Sequence, residues 1–334
     1  MLQRFWPAIV LIIPLLLIAI LVHFLGGVVL QRIVTVMFIN LILVLGLQMF
    51  SGNSGVLSFG HIAFMGMGAY GSILFSMSPQ AKGMALRQLY EPLTQVHLPF
   101  LPALLIGALI ATVVAALVGV PLMRLSGPAS VIATFALLVI THVVFINWEE
   151  VTNGARTIFG VDSHTTLWQA AAWALLFVIV AYAFKETALG LKLRAAREDE
   201  KAAAAIGIDI VQVRWAAFVL SAFVTAVAGA LWAHFITSFS PVAFYLSQTF
   251  LIVAMLIIGG SGSVAGAVIG TVAVTIIFEG MRGVENAVNM AQLLPFSLSG
   301  LTQLVLSVAM ILILIFRPAG IMRGREIGWL RGNI

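Results

Sequence analysis

Residues 185–210, KETALGLKLRAAREDEKAAAAIGIDI, form the only long polar, charge-dense segment of this 334-residue chain. The remainder is almost continuously apolar: 62% of all residues are hydrophobic and only 9% are charged, whereas charged residues make up about a quarter of a soluble domain. Apolar stretches of the length that crosses a hydrocarbon core, about 20 residues, recur from end to end. The sequence therefore predicts an all-α polytopic membrane protein whose polar segment faces an aqueous compartment.

Ten apolar segments are predicted to span the membrane, and glycine-rich stretches break the pattern. Their expected bounds are 6–25, 29–50, 60–78, 99–123, 126–147, 167–184, 212–234, 246–258, 264–282 and 298–316. The eighth is short and GGSGS follows it, so the eighth and ninth could form one broken unit. The N-terminal run is longer than a signal peptide's apolar region and lacks a small-x-small cleavage site, which favours a retained first span. The whole chain, 1–334, is read as a single transmembrane domain.

The distribution of Lys and Arg predicts the orientation. An even number of spans places both termini on one side, which would carry twelve of these residues: Arg4, Arg124, Lys185, Lys192, Arg194, Arg197, Lys201, Arg214, Arg317, Arg323, Arg325 and Arg331. The other side would carry five: Arg32, Lys82, Arg87, Arg156 and Arg282. Because cytoplasmic loops are enriched in Lys and Arg, the termini, the segment 185–210 and the tail 317–334 are predicted to be cytoplasmic, in a bacterial inner membrane. Scattered among membrane segments, these cations do not indicate a nucleic-acid-binding face.

Two glycine-rich regions stand out, SGNSGVLSFGHIAFMGMGAYG at 51–71 and GGSGSVAGAVIG at 259–270. The first contains a G-x-G-x-x-G spacing, but no strand precedes it, so it does not indicate a dinucleotide site. In the second, Gly262, Gly266 and Gly270 form two G-x-x-x-G steps, a spacing that lets another helix backbone approach closely. Helix packing is the favoured interpretation of both regions. The alternative is irregular backbone that lines a solute path, which a membrane tolerates only inside protein.

Polar residues within the apolar segments are few. Such groups usually face the bundle interior and can mark a solute path, so the candidates for that path are Asn40, Gln48, Ser54, His61 and Thr134. The plainer alternative for each is a hydrogen bond between helices. The histidines are dispersed and the chain has no cysteine, so no metal site is predicted. Neither a Ser-His-Asp arrangement nor H-E-x-x-H is present, so no enzymatic activity is expected.

The charged segment has the pattern of a short amphipathic helix over LRAAREDEKAAAAIGI, residues 193–208. Arg194 with Glu198 and Arg197 with Glu200 lie at helical spacings that favour ion pairs. An alanine run follows, beginning with Ala202 and Ala203, and such small side chains let a helix sit shallowly in the groove of another protein. Gly207 is well placed to end the helix. A solvated loop with ordinary ion pairs remains the alternative reading of these residues.

In combination, these motifs resemble the permeases of branched-chain amino-acid ABC transporters, and most of all their M-type subunit. The stretch Ala202, Ala203, Gly207 resembles the Ala-Ala-x-x-x-Gly core with which importer permeases dock on an ATPase, with Lys201 where the general motif has Glu. The stretches 51–71, RLSGPASVIATFA at 124–136, 259–270 and FRPAGI at 316–321 resemble further family motifs in order. One departure is TNGARTI at 152–158, where the family usually carries Thr-Gly-Gly.

The resemblance implies a permease of the type II-like importer class that imports branched-chain amino acids or similar small amphipathic solutes. Its implied partners are a homologous H-type permease, two cytoplasmic ATPases and a periplasmic binding protein. ATP and Mg would be bound by the ATPases, because this sequence contains no G-x-x-x-x-G-K-[ST] loop. The residues implied to couple ATP hydrolysis to transport are Arg194, Arg197, Glu198, Glu200, Ala202, Ala203 and Gly207. Urea, short amides and aromatic acids remain alternative solutes, and an ion-driven secondary transporter remains the alternative class.

Overall fold

In the computed structural model, the described residues are 2–291, 300–317, 319–322, 324 and 326. They form α-helices joined by short turns, and their only paired extended residues are Ile158 and Phe239. The helices are α1 Leu2–Leu25, α2 Val28–Leu47, α3 His61–Ser76, α4 Pro79–Ala85, α5 Glu91–Thr94, α6 Phe100–Leu122, α7 Pro128–Asn147, α8 Glu149–Thr152, α9 Leu167–Glu186, α10 Ala188–Glu198, α11 Glu200–Ala205, α12 Ile210–Ile236, α13 Leu246–Gly259, α14 Val264–Met290 and α15 Leu301–Phe316. A π-helical turn, Gln48–Gly52, continues α2, and a 3₁₀ turn, Pro241–Phe244, precedes α13.

Each predicted span coincides with one of these helices, in the predicted order. Among the described residues, eight helical stretches are long and apolar enough to cross a membrane, and α15 contains a shorter apolar helix. The remaining predicted span coincides with α3, a helix of 16 residues. The chain is thus an all-α polytopic membrane protein, as predicted. The first residues of the predicted tenth span and most of the predicted tail 317–334 lie outside the described residues.

The eighth and ninth spans are two separate helices rather than one broken unit. The tight turn Gly260–Ser263 joins α13 to α14, and the two helices pack closely side by side. A methyl group added at Gly266 would lie 2.2 Å from the Gly260 carbonyl oxygen, and one added at Gly270 would lie 2.0 Å from that of Met255. The backbone of α13 thus lies close to both glycines. Gly262 lies in the turn itself.

The centre of the bundle is α3, which packs mainly against α12 and α6. Glycines allow its backbone to touch both neighbours: a methyl group added at Gly68 would lie 2.1 Å from the Ala226 carbonyl oxygen, and one added at Gly71 would lie 2.8 Å from the Gly107 Cα. These two glycines belong to the G-x-G-x-x-G spacing. Its role in this structure is helix packing, which was the favoured interpretation.

The connecting segments gather at two ends of the bundle. At the end where α10 and α11 lie, called the charged end here, the guanidinium of Arg197 contacts Gly52 and lies near the turn Gly260–Ser263. At the opposite end, called the loop end, Ile158 pairs with Phe239, and Lys82 donates hydrogen bonds to the carbonyls of Leu93 and Val96. Burial lowers the pKa of the Lys82 ammonium.

Candidate functional site

The predicted helix of the charged segment is broken at Asp199, so the expectation of one continuous helix was wrong. The Asp199 backbone is extended, and its Oδ1 accepts hydrogen bonds from the backbone N–H groups of Lys201 at 2.8 Å and Ala202 at 3.0 Å. This is an N-cap, which satisfies N–H groups that have no partner within a new helix. The segment therefore forms two helices, α10 and α11, that meet at a capped corner.

The break also changes the partners of the charged residues. The predicted pairs do not form: Arg194 donates to the Lys185 carbonyl at 3.1 Å, and Arg197 donates to the Gly52 carbonyl at 2.6 Å. Glu200 instead forms a salt bridge with Arg214 at the start of α12, while Glu198 is exposed. Side chains that sequence spacing assigned to local pairs thus tie the charged segment to the transmembrane helices.

One side of α11 is open to its surroundings. Ala203 is buried at 3% exposure against the rest of the chain, whereas Ile206 is 76% exposed. The helix ends at Ala205, and Gly207 follows at φ +84°, a left-handed conformation that glycine adopts readily. The exposed face of α11 is defined here as the exposed residues around this ending, which are Ala202, Ala204, Ala205, Ile206 and Gly207. These five residues are uncharged and mostly small, and the exposed Lys201 lies beside them on α11.

The described part of the C-terminal tail returns to the charged end, a contact that sequence reasoning missed. The backbone N–H groups of Ile321 and Met322 donate to the carbonyls of Ile258 and Gly259 at the end of α13. Glu326 then pairs with the buried Lys185 at 2.5 Å, and its carboxylate accepts hydrogen bonds from the first two N–H groups of α14. The only sequence features that could have indicated this contact were a single Lys at the end of a predicted span and a single Glu in the tail.

The five candidates for the solute path are all buried, and four of them lie on or beside the connection between α2 and α3. Gln48 lies in the π-helical turn, Ser54 and His61 follow it along the chain, and the Thr134 hydroxyl accepts a hydrogen bond from the backbone N–H of Phe59 at 3.3 Å. Asn40 lies earlier in the chain, within α2, where its Oδ1 accepts a hydrogen bond from the Gln248 side chain at 3.1 Å. None of these positions is tested as a solute contact, so their assignment to a path remains a prediction.

His61 has the geometry of a link between helices. Its ring nitrogens lie 2.8 Å from the hydroxyls of Ser58 and Ser221, which joins the start of α3 to α12. A cavity of about 10 Å³ beside the ring has room for about one water molecule. The described residues around His61 therefore leave no space for a solute in this conformation.

A second histidine, His234, joins the other ends of the same helices. Its Nε2 lies 2.7 Å from the Ser76 hydroxyl, and its Nδ1 lies 2.8 Å from the Ala230 carbonyl oxygen. The sequence singled out His61 but gave His234 no role, because spacing alone did not show that both lie on the α3–α12 contact. Among the described residues, no group of three or more His, Asp or Glu side chains could hold a metal ion.

At the loop end, an open cavity of about 530 Å³ lies between two connecting segments. One side is the chain around Met84 and Arg87, and the other includes Glu149 and Arg156. Arg156 belongs to TNGARTI, the stretch at which the sequence departs from the family pattern. The cavity is thus lined by charges of both signs and by apolar side chains.

Comparison with known proteins places the chain in a family. The sequence model of the family described as "Branched-chain amino acid transport system / permease component" matches residues 29–315. The chain is 25% identical over 325 residues to the high-affinity branched-chain amino acid transport system permease protein LivM of Escherichia coli (strain K12), covering 87% of this chain and 69% of the relative. It is 29% identical over 162 residues to a probable LivM of Methanocaldococcus jannaschii, covering 47% of each chain.

Another relative has a different solute in its name. The nucleoside ABC transporter permease protein NupC of Lactococcus lactis subsp. cremoris (strain MG1363) is 27% identical over 227 residues, which cover 63% of this chain and 68% of the relative. No solved structure matches the chain. Because the family match extends over most of the sequence and includes nine of the ten helices that coincide with predicted spans, the chain belongs to the family of permease components of branched-chain amino acid transport systems.

Proposed function

We propose that this chain is the transmembrane permease of an ATP-driven importer of the type II-like class, which carries branched-chain amino acids or similar small amphipathic solutes. The observation that carries the proposal is the exposed face of α11. An uncharged face of small side chains with an isoleucine at its tip, Ile206, suits a shallow groove on a partner protein. The same segment is tied to the transmembrane helices through Arg197 and Glu200.

The proposed mechanism is alternating access driven from the charged end. Two cytoplasmic ATPases bind ATP and Mg and, when they close, pull on α11 and on a matching segment of a homologous H-type permease. The salt bridge from Glu200 to Arg214 passes this movement to α12, which packs along α3. This chain itself catalyses no reaction. A mostly apolar path suits solutes such as leucine, isoleucine and valine, whose side chains need little polar lining.

In the proposed orientation, the charged end and both termini lie on the cytoplasmic side of a bacterial inner membrane. The loop end lies on the periplasmic side. A periplasmic binding protein would then deliver solute at the loop end, beside the cavity that contains Arg87, Glu149 and Arg156. The excess of Lys and Arg on the predicted cytoplasmic side supports this orientation.

A second solute class is favoured by one specific observation, the similarity to a nucleoside permease. A nucleoside is larger and more polar than leucine, yet it would use the same fold and the same coupling segment. Urea, short amides and aromatic acids are further solutes of the same kind. A transporter driven by an ion gradient would want carboxylates within its spans. The Glu279 carboxylate lies 3.8 Å from the Arg282 guanidinium, so this acid already has a cationic neighbour.

Reconstitution tests the proposal. The chain is co-expressed with the partners proposed above, an H-type permease, the ATPases and a binding protein, and the complex is placed in proteoliposomes that contain ATP. We expect uptake of radiolabelled leucine that requires both ATP and the binding protein. Uptake of a nucleoside instead would select the second solute class. Uptake that follows an ion gradient without ATP would contradict the proposal.

A further inference from the structure

The end of α2 is a buried π-helical turn, Gln48–Gly52. A π-helical turn holds one more residue than an α-helical turn, is rare, and occurs often at functional sites. The side chain of Asn53 supports the turn by donating hydrogen bonds to the carbonyls of Gln48 at 3.3 Å and Met49 at 3.0 Å. A polar side chain is thus used to hold an irregular backbone at the charged end of the bundle.

Gln48 is fully buried, and neither atom of its side-chain amide has a hydrogen-bond partner among the described residues. Burying a polar group without a partner is unfavourable. The turn is also tightly confined: a methyl group added at Gly52 would lie 3.0 Å from the Gln48 Nε2 and 2.2 Å from the Ser261 carbonyl oxygen. Ser261 belongs to the turn between α13 and α14, so the two glycine-rich regions of the sequence meet here.

Two side chains of the charged segment reach this region: Lys185 donates to the Gly262 carbonyl at 3.4 Å, and Arg197 reaches the π-helical turn itself. Arg197, on α10, donates from Nη1 to the Gly52 carbonyl at 2.6 Å, across 145 positions of the sequence. The aliphatic part of the Arg197 side chain lies beside Gly55. Its Nη1 lies 3.5 Å from the position that a Cβ would occupy on Gly262. Arg197 therefore contacts the π-helical turn, the loop that follows it and the α13–α14 turn.

We propose that Arg197 is a positioning residue that couples movement of α10 and α11 to the register of the π-helical turn. When α10 shifts, the Gly52 carbonyl loses its donor and the turn relaxes towards α-helix. A change of register by one residue turns the following chain by roughly 100° and moves it about 1.5 Å along the axis. Ser54, which lies two residues beyond the turn at the end of the helix, then rotates relative to α2, and the Gln48 amide gains a partner. This inference rests on the proposed function and adds the route by which force reaches the bundle.

The first test compares transport with ATP hydrolysis. The wild-type complex is measured first, so that absence of ATP-driven uptake counts against the proposed function alone. We expect Arg197→Gln to keep ATPase assembly and hydrolysis while uptake per ATP falls about tenfold, which lies within the usual range of coupling between sites. Arg197→Lys retains a donor and should restore part of the loss. The matched control is Lys192→Gln, an exposed position on the same helix, which should couple normally. Wild-type uptake per ATP in Arg197→Gln would overturn the inference, as would loss of the ATPases from that complex.

The second test reads the rotation directly. The chain contains no cysteine, so Ser54→Cys provides a single buried thiol in the last helical residues after the turn. We expect its rate of alkylation by a small maleimide to change at least about tenfold between the nucleotide-free and the vanadate-trapped complex. In the double variant Ser54→Cys, Arg197→Gln the two rates should be equal. Equal rates with Arg197 present, or an unchanged difference without it, would overturn the inference.

Discussion

Gly68 and Gly229 bring α3 and α12 together until their backbones touch. A methyl group added at Gly229 would lie 1.9 Å from the Met65 carbonyl oxygen, closer than any real Cβ can lie, so the two helices would have to separate. Because lipid is as apolar as a leucine side chain, such close packing is a main source of helix association in a membrane. The stability of the bundle therefore depends on these small residues.

Gly229→Ala is predicted to destabilise the folded protein by about 1–3 kcal/mol, the usual cost of overpacking. Thermal unfolding of the detergent-solubilised chain measures the effect. Gly280→Ala is the matched control, because nothing lies within 4 Å of an added methyl group there, and alanine is the better helix former. Equal melting temperatures for the two variants would contradict this account of α3 and α12.

Residue by residue, the sequence showed which polar groups lie at membrane depth but not what they face. His61 was a candidate for the solute path, and its ring is held between Ser58 and Ser221. Those serines lie 3 and 160 positions away along the chain. The local partner was within reach of a sequence argument, whereas the distant one depends on how α12 docks against α3. Hydrogen bonds of this kind contribute about 0.6 kcal/mol each in a membrane.

Among the elements, the charged segment shows most clearly what local patterns can predict. That the helix ends just before Gly207 followed from the conformational freedom of glycine, and Gly207 has the left-handed φ of +84°. The break at Asp199 was missed because the run of helix formers on both sides of it concealed an N-cap residue. The predicted ion pairs were wrong for a different reason: Arg197 donates to the Gly52 carbonyl in the π-helical turn and Glu200 pairs with Arg214 on α12, partners that no spacing within the segment could predict.

The two sides of α11 are predicted to respond differently to a bulky side chain. Ala203→Trp should prevent stable folding, because Ala203 is 3% exposed and its surroundings have no space for an indole. Ala205→Trp should fold normally and lose coupling, because Ala205 belongs to the exposed face. Size-exclusion profiles report folding, and ATP hydrolysis with uptake reports coupling. If Ala205→Trp transported normally, the exposed face would not be the docking surface.

The pair of Lys185 and Glu326 links α9 to the first turn of α14. The Lys185 side chain is 7% exposed, and removing one partner of a buried ion pair usually costs about 3–5 kcal/mol. Glu326→Ala should therefore destabilise the chain strongly. The double variant Glu326→Ala, Lys185→Met should recover much of the loss, because no uncompensated charge remains. Thermal unfolding of the four proteins of this cycle measures the coupling. Additive effects of the two substitutions would contradict a direct ion pair.

For the whole molecule, the alternation of apolar and polar segments was enough to predict the architecture. Runs of about 20 apolar residues specified the spans, and ten helices coincide with the ten predicted segments. One feature was beyond reach: the return of the tail through Ile321 and Met322 to the end of α13. This contact joins distant parts of the chain, Ile321 and Met322 to Ile258 and Gly259, and hydropathy carries no information about which segments become neighbours.

The central claim is that the exposed face of α11 receives force from a separate ATPase in the cytoplasm. Ile206→Cys places a single thiol at the tip of that face in a chain that has no other cysteine. A short thiol-to-amine cross-linker added to membranes of the assembled complex should join the chain to the ATPase subunit, and the yield should change when ATP and vanadate are added. An impermeant maleimide applied to intact cells should leave this thiol unlabelled. A labelled thiol in intact cells, or absence of the ATPase adduct from a complex that still hydrolyses ATP, would contradict the account.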